Sequence, residues 1–341
     1  MKRSFLSLFA ISLLIYSCQP KQNEREAVLS ADADGIELTD TIKAEEPEVT
    51  EFTANDIRLT QDLTYDKYTL EETYPYKDTV RHFQLEQYKE VIAKLENLQR
   101  EPQPWAILQN RKNVNGEAPL VANWSRNEYK NVADSLGVER FQGIPLYLDD
   151  DSIPIRYGID GELVRLHHNN DSSEYILAET VYVPGNFKIP RKYVKLTDTI
   201  QFNKIAFVDR KNQNISVIER TADTDWVIRS MNPATTGQHR PPYAHDTPLG
   251  IFVVQEKKDK MYYLVDGTSR IAGYAPWASR FSNGGYIHGV PTNNPNGAII
   301  EYSQTLGTIP RSHMCVRNAS SHAKFFYDMV SVGDALVVVI E

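Results

Sequence analysis
The sequence predicts a mostly β C-terminal domain, a sandwich with short helices over residues 201–341, behind an α+β region at 53–200 that contains a small barrel-like β module. Three observations carry this prediction. From Phe141 onward the apolar residues come in short runs broken by turn residues, the texture of strands. A second series of such runs restarts near Lys204, and helical spacing of apolar residues is confined to a few short stretches. At 341 residues, with 41% hydrophobic and 10% aromatic side chains, the chain is long enough for two packed cores.

Residues 1–18 read as an export signal, with Lys2 and Arg3 ahead of an apolar run at 5–15 and then Tyr16-Ser17-Cys18. The run is shorter than the roughly 20 residues that a membrane-spanning helix needs. Residues 19–52 hold ten acidic and three basic side chains and almost no aromatics, which predicts a disordered acidic tether. Most of the formal net charge of −8 sits there, so the remainder is nearly neutral and lacks the basic face that a nucleic-acid partner requires.

Past the tether, Leu85, Tyr88, Ile92, Leu95 and Leu98 fall on one face of a helix running through Gln99, with Asp78 as its cap. A second helix is expected at 126–136, stopped by Gly137. Asp160-Gly161 predicts a hairpin between the runs 155–159 and 163–166, and the runs 175–177, 180–183 and 193–196 complete the β module. His167-His168, beside Asn169, Asn170 and Asp171, reads as an exposed turn. In the last domain, strands are expected at 205–208, 214–218, 226–228, 251–255, 261–265 and 335–340. A helix at 319–330 would use Asn318 as its N-cap and bury Phe325, Phe326 and Met329. The polar, proline-bearing stretch 232–246 is long enough to line a cleft. Trp226 and Trp277 read as core or cleft-wall residues.

Cys315 needs a chemical reason to exist. Cys18 belongs to the export signal, which leaves Cys315 without a disulfide partner in an exported chain, and an unpaired thiol there reads as a nucleophile. Thiols attack as thiolates, favoured by a nearby base and by the positive end of a helix, and Cys315 stands ahead of the predicted C-terminal helix. His288 follows Gly284-Gly285 at the end of an apolar run, and His313 lies two residues before the thiol; both are candidate bases. His239, His245 and Asp246 share the domain with them, so a zinc peptidase is a rival. None of these residues has the local spacing of a zinc site, and neither metal nor cofactor is expected.

Read in order, Thr247-Pro248-Leu249-Gly250-Ile251-Phe252, Ile287-His288-Gly289, Leu306-Gly307, Ser312-His313-Met314-Cys315-Val316-Arg317 and Val332-Gly333-Asp334 resemble the YkuD-type L,D-transpeptidases of bacterial cell walls. The resemblance covers about residues 203–341. It implies a YkuD-like β-sandwich, with Cys315 as nucleophile, His288 as general base and Gly289 supplying a carbonyl that orients the imidazole. It also implies that Ser312 and His313 shape the pocket, that Arg317 supports the site or a substrate carboxylate, and that amides around Met314 and Cys315 form an oxyanion hole. The substrate would be a peptidoglycan stem peptide. Ile15-Tyr16-Ser17-Cys18 separately resembles a bacterial lipobox, which implies lipidation of Cys18, a membrane anchor and a place in the cell envelope, in the periplasm.

Two departures from the family pattern bear on the reaction. Met314 stands where the family has glycine, costly if that position requires positive φ. The interval from His288 to Ser312 is long, with an inserted hairpin or lid expected at 293–304. Arg229, Tyr274 and Arg280 are candidates to meet stem carboxylates. Besides 3→3 cross-linking, the same nucleophile serves stem trimming by water or transfer to a protein, and a non-catalytic wall-binding protein is the remaining alternative.

Overall fold
The run Ala335–Ile340 is buried at every position, which only a strand covered on both faces permits. It lies inside a six-stranded mixed sheet ordered Arg58–Gln61, Asp225–Pro233, Asn214–Ala222, Lys204–Asp209, Ala335–Ile340 and Gly250–Val253. Lys204–Asp209 and Ala335–Ile340 pair parallel, as do Arg58–Gln61 and Asp225–Pro233; the other neighbours are antiparallel. On one face Ile205, Phe207, Leu336 and Val338 pack against Tyr88, Ile92 and Leu95 of the helix Leu85–Arg100, with Tyr88 stacked on Phe207. On the other face Ala206, Val208, Val337 and Val339 meet Phe281, Ile287, Val316 and Phe326. That second layer is a four-stranded sheet, Glu256–Leu264, Ile271–Ser282, Gly285–His288 and Val316–Arg317, backed by the helix Ser320–Met329. The result is the predicted β-sandwich with short helices.

The coordinates form a computed structural model that describes residues 50–341 apart from 102, 168–173 and 198, and these belong to one compact unit. The export signal with Cys18, most of the tether and the His168 turn lie outside the described residues. Among the described residues no helix is long and apolar enough to cross a membrane. Between the helix Leu85–Arg100 and Lys204, a five-stranded antiparallel sheet ordered Gly185–Pro190, Tyr175–Thr180, Leu163–Leu166, Trp105–Leu108 and Val194–Leu196 has its own core, which includes Leu108, Val164, Ile176 and Ile189.

Local expectations fail at several places. Helix 126–136 is instead a two-stranded ribbon, Ser125–Arg126 with Val132–Ala133; the stretch offers too few apolar residues to dock a helix and has Lys130 at φ +62° in its turn. Asp160-Gly161 makes a turn whose arms pair elsewhere: Arg156–Gly158 with Ile144–Leu146, and Leu163–Leu166 with Trp105–Leu108 and Tyr175–Thr180. Asp78 sits in the hairpin turn between Thr73–Tyr76 and Thr79–His82, so the helix starts only at Leu85. Asn318 is buried with both amide atoms unpartnered, and Ala319 is the N-cap. Glu301, reaching over from the preceding loop, takes the amides of Ser320 and Ser321 instead.

Candidate active site
Cys315 immediately precedes the strand Val316–Arg317, whose Val316 is in register with Ile287 and Arg317 with His288. The thiol is therefore level with Tyr286, two positions before His288 on the neighbouring strand. Because Ile287 and Val316 both face the sandwich core, alternation puts Tyr286, His288, Cys315 and Arg317 together on the opposite face of the sheet. The Tyr286 amide donates to the sulfur, and the thiol approaches the Gly284 carbonyl at 3.5 Å.

His288 is buried, and its Nδ1 lies 2.6 Å from the Gly289 carbonyl. A carbonyl only accepts, so Nδ1 carries the proton and Nε2 keeps its lone pair. Burial drags the imidazole down to about 4, with the Arg317 guanidinium pushing the same way and the Gly289 bond opposing. Burial raises the Cys315 thiol, while the Tyr286 bond and Arg317 favour the thiolate. Both shifts favour the neutral thiol and the neutral imidazole at rest. The strand Val316–Arg317 intervenes between Cys315 and the helix Ser320–Met329, so the expected pull of a helix N-terminus on the thiol is not what sets its protonation.

The turn that presents the thiol is held from beneath. Ser312 is buried and its hydroxyl donates to the Cys315 carbonyl, while its Oγ takes a 3.3 Å contact from the Met314 amide. Thr247 Oγ1 donates to the Met314 carbonyl at 2.7 Å and accepts from the Gly237 amide at 2.8 Å. A Cβ on Gly237 would lie 2.8 Å from the Met314 Cα and 2.3 Å from the His245 carbonyl, so glycine is what lets the two loops touch. Met314 is not among the positive-φ residues, and methionine carries no backbone penalty there.

Cys315, Met314 and His313 open onto a cavity of about 1540 Å³, while His288, Gly289, Ser312 and Arg317 lie outside its lining. His313 is exposed and paired to Asp266 on the hairpin turn, 3.0 Å from Nε2. The stretch 232–246 lines the cavity with His239 and His245, as its polarity suggested. The carboxylate-binding candidates are structural: Arg280 is buried on Asp160 at 2.7 Å, Arg229 is paired to Asp62 and Glu219, and Tyr274 donates to the Gly297 carbonyl. Trp226 is a core residue bonded to Glu96. Among the described residues no three His, Cys, Asp or Glu side chains are grouped to hold a metal ion. Sequence reasoning missed Thr247 as a support, Gly237, the Tyr286 amide and the Asp160–Arg280 pair. Of these only Thr247 had a signal, its place in the Thr-Pro-x-Gly-x-Phe segment.

Residues 203–340 match the family model YkuD, the L,D-transpeptidase catalytic domain. Among solved structures the chain is similar to a fused Zn-dependent amidase/peptidase/peptidoglycan-binding domain-containing protein from Clostridium acetobutylicum (17% identity, 40% of this chain and 52% of that one, TM-score 0.30). It is also similar to an L,D-transpeptidase from Stackebrandtia nassauensis (22%, 41% and 56%, TM-score 0.29) and to one from Mycobacterium tuberculosis (18%, 54% and 92%, TM-score 0.33). The chain spans about half the length of the first two. No curated protein compared with the chain matches it.

Proposed function
From the YkuD L,D-transpeptidase catalytic domain carried at residues 203–340, we propose that the protein is a cysteine L,D-transpeptidase acting on peptidoglycan stem peptides in the cell envelope. What supports this is that Cys315, on the cavity wall, and His288 fall on the same face of two adjacent strands, with His288 Nδ1 committed to Gly289 so that Nε2 is left as the proton acceptor.

The thiol is raised and the imidazole lowered, so ion-pair formation at rest is unfavourable and proton transfer accompanies attack. The Cys315 sulfur bonds to the carbonyl carbon joining the L-centre of diaminopimelate to the terminal D-alanine of a tetrapeptide stem, and its proton passes to His288. The carbonyl oxygen becomes an oxyanion met by the Cys315 amide, the Met314 amide being turned to Ser312 Oγ. Collapse breaks the C–N bond, His288 returns the proton to the departing D-alanine amine, and a thioester remains. The side-chain amine of a second stem then attacks the thioester and displaces the thiol, giving a 3→3 cross-link; water in its place gives a trimmed stem. Ser312 and Thr247 hold the thiol's turn, and Arg317 favours the thiolate. Lipidation of Cys18 would anchor the chain to a membrane, with 19–52 as the tether and 53–200 as an α+β region that lends the strand Arg58–Gln61 and the helix Leu85–Arg100 to the sheet of the catalytic domain at 201–341.

The test is D-alanine release from a purified tetrapeptide stem, followed with mass spectrometry of the protein. The wild-type chain is expected to release D-alanine and gain the stem mass less D-alanine at Cys315. Cys315→Ala is expected to do neither, and unchanged release by that variant rejects the proposal. Muropeptide masses then separate cross-linking from trimming.

A further inference from the structure
The cavity in front of Cys315 has a second wall, built by residues that precede the matched domain: the ribbon Ser125–Arg126 with Val132–Ala133, its flanks to Gly143, and Arg156. The carboxylates on this cavity are engaged. Glu117 pairs with Arg140 at 3.3 Å, Glu128 and Asp246 each take a nitrogen of His239 at 2.9 Å, and Glu139 accepts from Asn127 and Asn131. Glu162 is buried, accepts from the Ile159 amide, and is pushed by burial toward its neutral form, with the Ile159 bond and the Arg156 charge opposing. The cations are not balanced in the same way. Among the described residues Arg126, Lys130 and Arg156 line the cavity without a carboxylate within ion-pair distance, whereas Arg140 and Arg210 are paired. Arg126 lies against Lys130, donating to its backbone carbonyl at 2.7 Å. Arg156 is fixed by bonds from one terminal nitrogen to Thr180 Oγ1 and the Val183 carbonyl and by stacking on Phe187, and its Nε is buried with no partner. A guanidinium immobilised in this way on a cavity wall, with no carboxylate partner, suits an incoming anion, because a carboxylate answers it with charge as well as geometry.

We propose that this wall is a carboxylate subsite, with Arg156 as its fixed donor and Arg126 and Lys130 as its outer charges, and that it holds a free carboxylate of a stem peptide whose scissile bond lies at Cys315. The proposal rests on the transpeptidase reading for the identity of the peptide, but not for the charge it selects. A chain with this subsite discriminates stems bearing free carboxylates from amidated ones.

The experiment measures calorimetric binding to the full chain carrying Cys315→Ala, so that nothing turns over, using a tetrapeptide stem with free carboxylates and the same stem amidated. The free acid is expected to bind about 10- to 100-fold more tightly than the amide. Arg156→Gln is expected to remove most of that difference, and Arg126→Gln with Lys130→Gln a smaller, salt-sensitive part. Thermal melting of each variant separates lost binding from lost fold, and the Arg126/Lys130 variant, altered only at exposed side chains, carries the test if Arg156→Gln does not fold. Equal affinity for acid and amide, no binding of either, or discrimination that survives both sets of substitutions overturns the subsite. If discrimination is present but the wild-type chain releases no D-alanine, the subsite stands and the transpeptidase reading falls.

Discussion
Burial decides the chemistry of the two central residues before any substrate arrives. With His288 held to about 4, the imidazole is a proton acceptor over the whole physiological range, and its Nδ1 bond to Gly289 fixes which nitrogen does the accepting. His288→Gln is expected to lower the rate of D-alanine release by roughly 10²- to 10⁴-fold, the usual contribution of a positioned base. The rate of thiol alkylation at pH 7 should fall alongside it. In the wild type, activity should hold as pH is lowered past 6 and decline only as pH approaches about 4; a midpoint near 6.5 would mean that His288 is solvated. Met314→Gly should cost about 1 kcal/mol or less, since it frees a turn that needs no positive φ, and should widen acceptor choice as the side chain leaves the cavity wall. Competition between two stem amines of different size measures it. Cys315 and His288 could be singled out as candidates from the sequence because the chemistry proposed for them is in their side chains. Gly237 and the Tyr286 amide were not, because their contributions are a missing Cβ and a backbone N–H, which only the meeting of distant loops makes useful.

At the scale of elements, the site depends on close approach. A Cβ on Gly289 would come within 2.5 Å of Ser320 Oγ and 2.9 Å of its Cα, at the start of the helix Ser320–Met329. Gly289→Ala should therefore push the helix from the strand Gly285–His288 and swing the carbonyl that holds Nδ1. A fall in kcat larger than the fall in Tm would mark it; unchanged kcat would show that the helix yields instead. The Asp160-Gly161 turn belongs to the same class of contact. Gly161 packs on the Phe281 carbonyl at φ +92°, and Asp160 takes Arg280 at 2.7 Å together with the amides of Asn110 and Arg111. Removing one partner of such a buried pair strands the other, so Asp160→Ala is expected to destabilise the chain by about 3–5 kcal/mol in denaturant unfolding. The sequence showed a turn at Asp160-Gly161 correctly but not its purpose. Turn residues report local backbone shape, whereas the partners of a strand are set by distant segments. For the same reason the strands after Lys204 were readable from their apolar runs, while 126–136, polar enough to suit several conformations, was not.

Across the whole molecule, the latch between the ribbon at 125–133 and the loop at 239–246 closes one side of the cavity. His239 bridges Glu128 and Asp246, Asp246 also meets Arg210 at 3.7 Å, and Tyr129 stacks on His245 at 3.9 Å while donating to the Ala244 carbonyl. The two carboxylates raise His239 above its ordinary value, whereas burial lowers His245 and leaves it a neutral stacking partner. A raised histidine contributes its full stabilisation below 6.5 and loses it as pH climbs through the higher folded value. The latch should therefore loosen on the alkaline side, by no more than about 1 kcal/mol because His239 is half exposed and its pairs are screened. The buried rings act at the other end. His288 and His322, lowered to about 4 and about 3, stay neutral in the folded chain while the unfolded chain takes up protons below 6.5. Each can cost up to about tenfold in folding equilibrium per pH unit between 6.5 and its folded value. Amide exchange of residues 127–139, corrected for its intrinsic pH dependence, should accelerate from pH 6 to 9 in the wild type and be flat in His239→Gln. Global unfolding should depend most steeply on pH on the acid side, with only the small His239 contribution on the alkaline side. Acceleration that persists in His239→Gln would assign the alkaline opening to another group.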